Sequence, residues 1–168
     1  MAFLLENDII GLREAEPSEL DWLMMWGEHP DNRPFVLPYD RPRWEQALHA
    51  PDELLVMIVQ KATGQAVGFV LLAGLTNSHR ALELRRVIIA EKGLGVGRQV
   101  IRLLKTYCFE ILRFHRFWLD VYPFNERALH LYRTEGFQWE GTLRDSILRD
   151  GQYFSLHVFS MLATEYVL

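Results

Sequence analysis

Three apolar, β-prone runs follow one another with almost no chain between them: Leu54–Val59, Val67–Leu75 and Ala81–Ala90. Thr63-Gly64 fills the first gap and Asn77-Ser78 the second, both turn-forming pairs. Connections this short cannot carry a crossover, so an antiparallel meander is expected. The period then changes. Val100, Ile101, Leu104, Cys108 and Ile111 recur at helical spacing, which predicts an amphipathic helix over 97–113. Phe117–Tyr122 alternates as a further strand, and this strand–helix–strand passage should supply a parallel pair.

The flanks complete the pattern. Ile9–Leu12 reads as a strand, and Pro17 opens a helical stripe through Leu20, Leu23, Met24 and Trp26. Pro30, Pro34 and Pro38 exclude regular structure, after which Asp40 is suited to cap a helix through Trp44 and Leu48. Asn125–Glu135 reads as a short helix ended by Gly136, and strands Phe137–Leu148 and Tyr153–Leu162 meet at Asp150-Gly151, a strong hairpin signal. The expectation is a single α+β domain over residues 1–168.

Composition narrows the function classes. The 168 residues are 49% hydrophobic and 24% charged, values of a globular chain with enough apolar surface for a core. With 18 Lys+Arg against 22 Asp+Glu the net charge is −4, so no whole-chain basic footprint for nucleic acid exists. The lone Cys108 excludes an intramolecular disulfide, and six scattered histidines without an i, i+4 pair speak against a metal site. No apolar run approaches bilayer length and no basic leader opens the chain, so no membrane partner and a cytoplasmic location are expected.

Residues 92–97 read Lys-Gly-Leu-Gly-Val-Gly between a strand and a helix. Glycines permit positive φ and close approach of a ligand, and the unpaired N–H groups of a helix start attract anions. One glycine would satisfy a plain turn; three alternating ones favour a ligand. The spacing misses the dinucleotide fingerprint by one residue, and Arg98-Gln99 fails the Lys-Ser/Thr of a Walker A loop. In the preceding strand, Leu82 and Leu84 alternate with Glu83 and Arg85, but Arg86 is polar and Val87-Ile88-Ile89 are all apolar. A bulge near residues 85–87 would restore the phase.

Lys92-x-x-Gly95-x-Gly97 resembles the Arg/Gln-x-x-Gly-x-Gly/Ala motif of the GNAT N-acetyltransferase superfamily, with lysine keeping a positive charge in first position. Asn125-x-x-Ala128-x-x-Leu131-Tyr132-x-x-x-Gly136-Phe137 is similar to the family's second acetyl-CoA motif, and the order of elements matches over nearly the whole chain. Gly141-Thr142-Leu143-Arg144-Asp145 and Gly151-Gln152-Tyr153-Phe154 resemble the subgroup that includes ribosomal-protein N-terminal and spermidine acetyltransferases, although Ser155 stands where those often carry Asp. The resemblance implies a GNAT-type fold: a mixed, mostly antiparallel sheet of about six to seven strands, splayed at its centre and flanked by about four helices. It implies acetyl-CoA as co-substrate, no metal, and a primary amine as acceptor, either a small molecule such as a polyamine or a protein N-terminus.

The same resemblance assigns residues. The pyrophosphate would rest on the N–H groups of Leu94, Gly95, Val96, Gly97 and Arg98, with Lys92 and Gly93 completing the turn. The thioester arm would lie in the splay along Val87, Ile88 and Ile89, one of whose N–H groups would face the oxyanion, with Asn125 and Ala128 contacting the cofactor from the next helix. Glu83 resembles the family's general base; an ion-pair partner for Arg85 or Arg116 is the competing reading. Tyr132 resembles the general acid that protonates the departing sulfur and otherwise reads as a core aromatic beside Ala128 and Leu131. Asp120, mid-strand between Leu119 and Val121, reads as structural. An inactive CoA-binding sensor of the same fold is the alternative function, which Glu83 and Tyr132 disfavour.

Overall fold

A computed structural model describes residues 2–90 and 92–166. The strands are β1 (Leu5–Glu6), β2 (Ile10–Glu14), β3 (Glu53–Gln60), β4 (Gln65–Ala73), β5 (Ala81–Ile89), β6 (Arg116–Val121), β7 (Gln138–Arg149) and β8 (Gln152–Leu162). The helices are α1 (Leu20–Glu28), α2 (Arg41–His49), α3 (Val96–Thr106) and α4 (Glu126–Thr134). One sheet runs in the order β1-β2-β3-β4-β5-β6-β8-β7, with every neighbouring pair antiparallel except β5 and β6.

β3 and β4 are continuous apolar runs because helices cover both of their faces. Leu55, Met57, Phe69 and Leu71 pack against Leu20, Leu23, Trp44 and Ala47 of α1 and α2. Val56, Ile58, Val70 and Leu72 face Val100, Ile101, Leu104 and Leu129 of α3 and α4. The expected bulge is present. Leu84 pairs with Leu72 and Arg86 with Leu71, which leaves Arg85 as the extra residue. Leu82 and Leu84 belong to the α3 side of the core; past Arg85, Val87 and Ile89 pack to that side and Ile88 to the other. One inserted residue has inverted the alternation.

β5 and β6 pair only from Ala81–Glu83 to Arg116–Trp118. β5 continues to Ile89 and β6 to Val121, so the two strands part beyond Glu83 and Trp118 and the sheet opens. Local signals fix the rest. Asp40 accepts the Arg43 N–H at 3.0 Å and Asn125 the Ala128 N–H at 3.3 Å, capping α2 and α4. Gly136 ends α4 at φ 93°, and Asp150 and Gly151 turn the last hairpin at φ 51° and 76°.

Two expectations need correction. The sheet has an eighth strand, β1, two residues folded back on β2 where Asn7 accepts the N–H groups of Ile9 and Ile10; so short a strand shows no periodicity to read. The helix expected over 97–113 is α-helical only to Thr106. Tyr107–Ile111 is π-helical, with the Leu112 N–H reaching the Tyr107 carbonyl at 2.9 Å. The widened turn slips the phase, so Cys108 stays buried while Ile111, expected on the apolar face, is exposed.

Candidate active site

Gly93 and Gly95 take φ of 87° and 73°, a left-handed conformation that side chains resist, and a Cβ on either would meet nothing within 4 Å. The glycines are therefore there for backbone shape, not for packing. Gly95 caps α3 without a side chain, so among the described residues no side-chain cap takes the first N–H groups of the helix. They open onto a cleft of about 1190 Å³ set in the splay. Gly97 is different: its Cβ position lies 3.4 Å from Leu131, so it lets α3 and α4 approach.

Of the residues singled out in the sequence, Val87, Ile88, Ile89, Lys92, Gly93, Gly95, Val96, Gly97, Arg98, Asn125, Ala128 and Tyr132 all line this cleft. Leu94 and Glu83 do not; Leu94 is 64% exposed at the crest of the turn. Two cations are more committed than their position in the sequence suggests. Lys92 Nζ donates to Asn32 Oδ1 at 2.5 Å and to the Ile89 carbonyl at 3.0 Å, tying the glycine turn to the proline-rich loop. Burial, then the nearby Arg127, pull its pKa down against Asp31. Arg98 donates to Glu135 at 2.6 Å and to Thr134 Oγ1 at 2.9 Å.

The Glu83 carboxylate accepts two N–H groups of Arg85, at 2.8 and 3.1 Å, and Arg85 reaches on to Glu53 at 2.9 Å, which also binds Arg43. This chain of charges pins the bulge residue. Asp120 lines the cleft together with Asp31 and Glu126, and of these three it alone stands on a strand of the sheet, β6. Its side chain is open to solvent, but partial enclosure by the cleft walls, then the charge of Glu83, push its pKa above the ordinary aspartate value; Arg86 and Arg85 oppose them without cancelling them. Tyr132 lines the same cleft while only 5% exposed. Burial, then the charge of Asp120, raise its phenol pKa well above the usual range, so it keeps its proton at neutral pH. The sequence read Asp120 as structural, and the structure sets it on the wall of the cleft. The usable signal was a charge on a central strand next to the splay, which becomes visible only once the strands are known to part.

Glu135 fastens α3 to the end of α4. Its side chain, 5% exposed, takes Arg98, Arg102 and Lys105. Burial pushes its pKa up, but the hydrogen bonds from Arg102, Arg98 and Lys105 outweigh that and hold it below the usual glutamate value. Glu135→Gln should therefore cost roughly 1–3 kcal/mol at neutral pH, since the three cations can reach water. A group with a depressed folded pKa stabilises above its unfolded pKa and loses that contribution as pH falls. Thermal melts should thus show the mutant below wild type at pH 7 and the gap closing below the ordinary glutamate value of 4.5. An equal gap at pH 3 would show that the loss is packing, not charge.

Known proteins are similar in sequence and share this fold. Spermidine N(1)-acetyltransferase of Escherichia coli (strain K12) is 32% identical over 106 residues, 62% of this chain and 57% of that protein. The Vibrio cholerae enzyme of the same name is 32% identical over 111 residues, 66% of this chain and 64% of that protein. The match thus spans less than two thirds of the length of either relative. Among solved structures, Vibrio cholerae spermidine N-acetyltransferase in complex with CoA and spermine superposes with a TM-score of 0.83 at 26% identity, covering 95% of this chain and 98% of that one. A dodecameric form of that enzyme gives 0.79 at 27% identity, covering 96% and 98%. The model of the acetyltransferase (GNAT) family matches residues 20–137, and the chain belongs to that family.

Proposed function

We propose that the protein transfers the acetyl group of acetyl-CoA to the primary amine of a small molecule. The observation that carries this reading is one cleft lined by the glycine turn, the bulged strand β5, Asp120 and Tyr132. The cofactor fits what is there. Gly93 and Gly95 leave open space above the backbone, and the N–H groups at the start of α3 suit a pyrophosphate. The splay leaves the β6-facing edge of β5 beyond Glu83 without a strand partner, available to a second chain-like ligand. When bound, acetyl-CoA supplies an activated acyl group and a thiol leaving group.

The chain's own residues then divide the work. An attacking amine must be neutral, and alkyl amines are mostly protonated at pH 7. Asp120, with its raised pKa, is suited to accept that proton directly or through water. Tyr132, protonated at neutral pH, would supply the proton that the leaving thiolate needs once the amine has taken the acetyl group. Glu83 acts through Arg85 and through its charge on Asp120 as a positioning residue. The names of the curated relatives point to polyamines as one acceptor class to test.

The test is free-thiol release from acetyl-CoA over a panel of amines, with Tyr132→Phe as the variant. Removing only the hydroxyl keeps the ring, which packs at 5.9 Å from Phe137. Turnover should fall about 10²-fold, while acetyl-CoA affinity by calorimetry stays near wild type, because the lost interaction belongs to the transition state. Near-normal turnover would remove Tyr132 from the mechanism. CoA binding without turnover on any amine would leave a CoA-binding sensor in place of an enzyme.

A further inference from the structure

A second recess, of about 560 Å³, lies between the proline-rich loop and the tip of the β7–β8 hairpin. It is continuous with the cleft: Pro30, Tyr122 and Phe124 line both. Its wall is aromatic. Tyr122 and Phe124 stack at 5.1 Å and 13°, and Phe154 stands edge-on to both at 5.8 and 6.0 Å. Phe124 remains 47% exposed, a large apolar surface left open inside a concave site.

The charges around it cancel. Glu28 and Asp150 are offset by Arg33 and Arg149. Glu28 is already held by Arg33 at 3.2 Å, and Arg149 closes the recess by donating to the Arg33 carbonyl. A polycation extending into this space would meet two guanidinium groups and only one carboxylate not already paired with Arg33. An uncharged ring would meet a wall of three aromatic side chains. Resting on the reading of the cleft as an N-acetyltransferase site, we propose that this recess is the acceptor-specificity subsite. It takes the aromatic group of a singly charged arylalkylamine, with Phe124 and Phe154 setting that preference. The amine nitrogen then lies on the cleft side, where Tyr122 and Phe124 adjoin the Asp120 region.

The experiment compares kcat/KM for 2-phenylethylamine, n-propylamine and spermidine at saturating acetyl-CoA. It is paired with calorimetric titration of 2-phenylethylamine into the CoA-saturated protein. Wild type should favour 2-phenylethylamine over both others by roughly tenfold or more. Phe154→Ala should collapse that ratio toward one, mainly through KM. Phe124→Ala, at a partly exposed position where folding is not at stake, should do the same. Tyr153→Ala, exposed on the same hairpin but outside the recess, should leave the ratio intact. A preference for spermidine, or an aromatic preference that survives both phenylalanine variants, overturns the assignment. Ring binding that depends on Phe124 without any turnover upholds the subsite and refutes the transferase reading; neither binding nor turnover refutes the subsite as well.

Discussion

Asp120→Asn should lower kcat/KM on an amine acceptor by roughly 10²–10⁴ near neutral pH, the usual worth of a positioned general base. The loss should shrink as pH rises and more of the acceptor is already neutral. The substitution keeps shape and volume, so stability is a separate readout. An acid whose folded pKa lies above its unfolded value stabilises the fold only at low pH and costs stability once ionised. Asp120 is such a group. Removing its charge should leave the melting temperature at pH 7 unchanged or slightly higher. Glu83→Gln should behave differently. It breaks the pair with Arg85, so the melting temperature falls. It also takes a negative neighbour away from Asp120, so the acid limb of the pH–rate profile moves to lower pH, with a smaller loss of rate. If Glu83→Gln costs more activity than Asp120→Asn and the acid limb is lost instead of moving, the base is Glu83, the residue that the family resemblance implied.

That contrast marks where the sequence could be read and where it could not. The meander, the parallel pair, the bulge, the caps and the last turn follow from short-range signals: period, turn pairs and capping side chains act over a few residues. The broken alternation after Leu84 even located Arg85 to within two positions, because a strand that alternates apolar with charged residues cannot hide a phase error. The π-helical turn at Tyr107–Ile111 escaped because apolar spacing continues in phase through Cys108. The different surroundings of Glu83 and Asp120 were illegible for another reason. Both are single acidic residues flanked by apolar ones on adjacent strands, and local pattern treats them alike. What separates them is the end of strand pairing at Glu83 and Trp118, which leaves one beside its arginine and the other facing the cleft.

Gly95→Asp should abolish CoA binding and leave the protein folded. Two effects bear on the fold, and they nearly cancel. The residue sits at φ 73°, where a side chain costs about 1 kcal/mol or somewhat more, although Asp tolerates this region better than most. No steric penalty adds to it, because the Cβ would meet nothing within 4 Å. Against the strain, a carboxylate at a helix N-terminus is favourable by about 0.3–1 kcal/mol. The same carboxylate defeats the ligand. It places a negative charge on the N–H groups that the pyrophosphate needs, and fills the space that the glycine leaves open. With CoA at about 100 times its Kd, wild type gains about 2.7 kcal/mol, or roughly 5–11 °C for a chain of this size. The mutant should melt within a few degrees of wild type without ligand and show almost no shift with it. Gly95→Ala carries the backbone strain without the charge and should keep much of the shift. An undiminished shift in Gly95→Asp would mean that the phosphates bind elsewhere, and an equal loss in Gly95→Ala would assign the effect to backbone strain instead of charge.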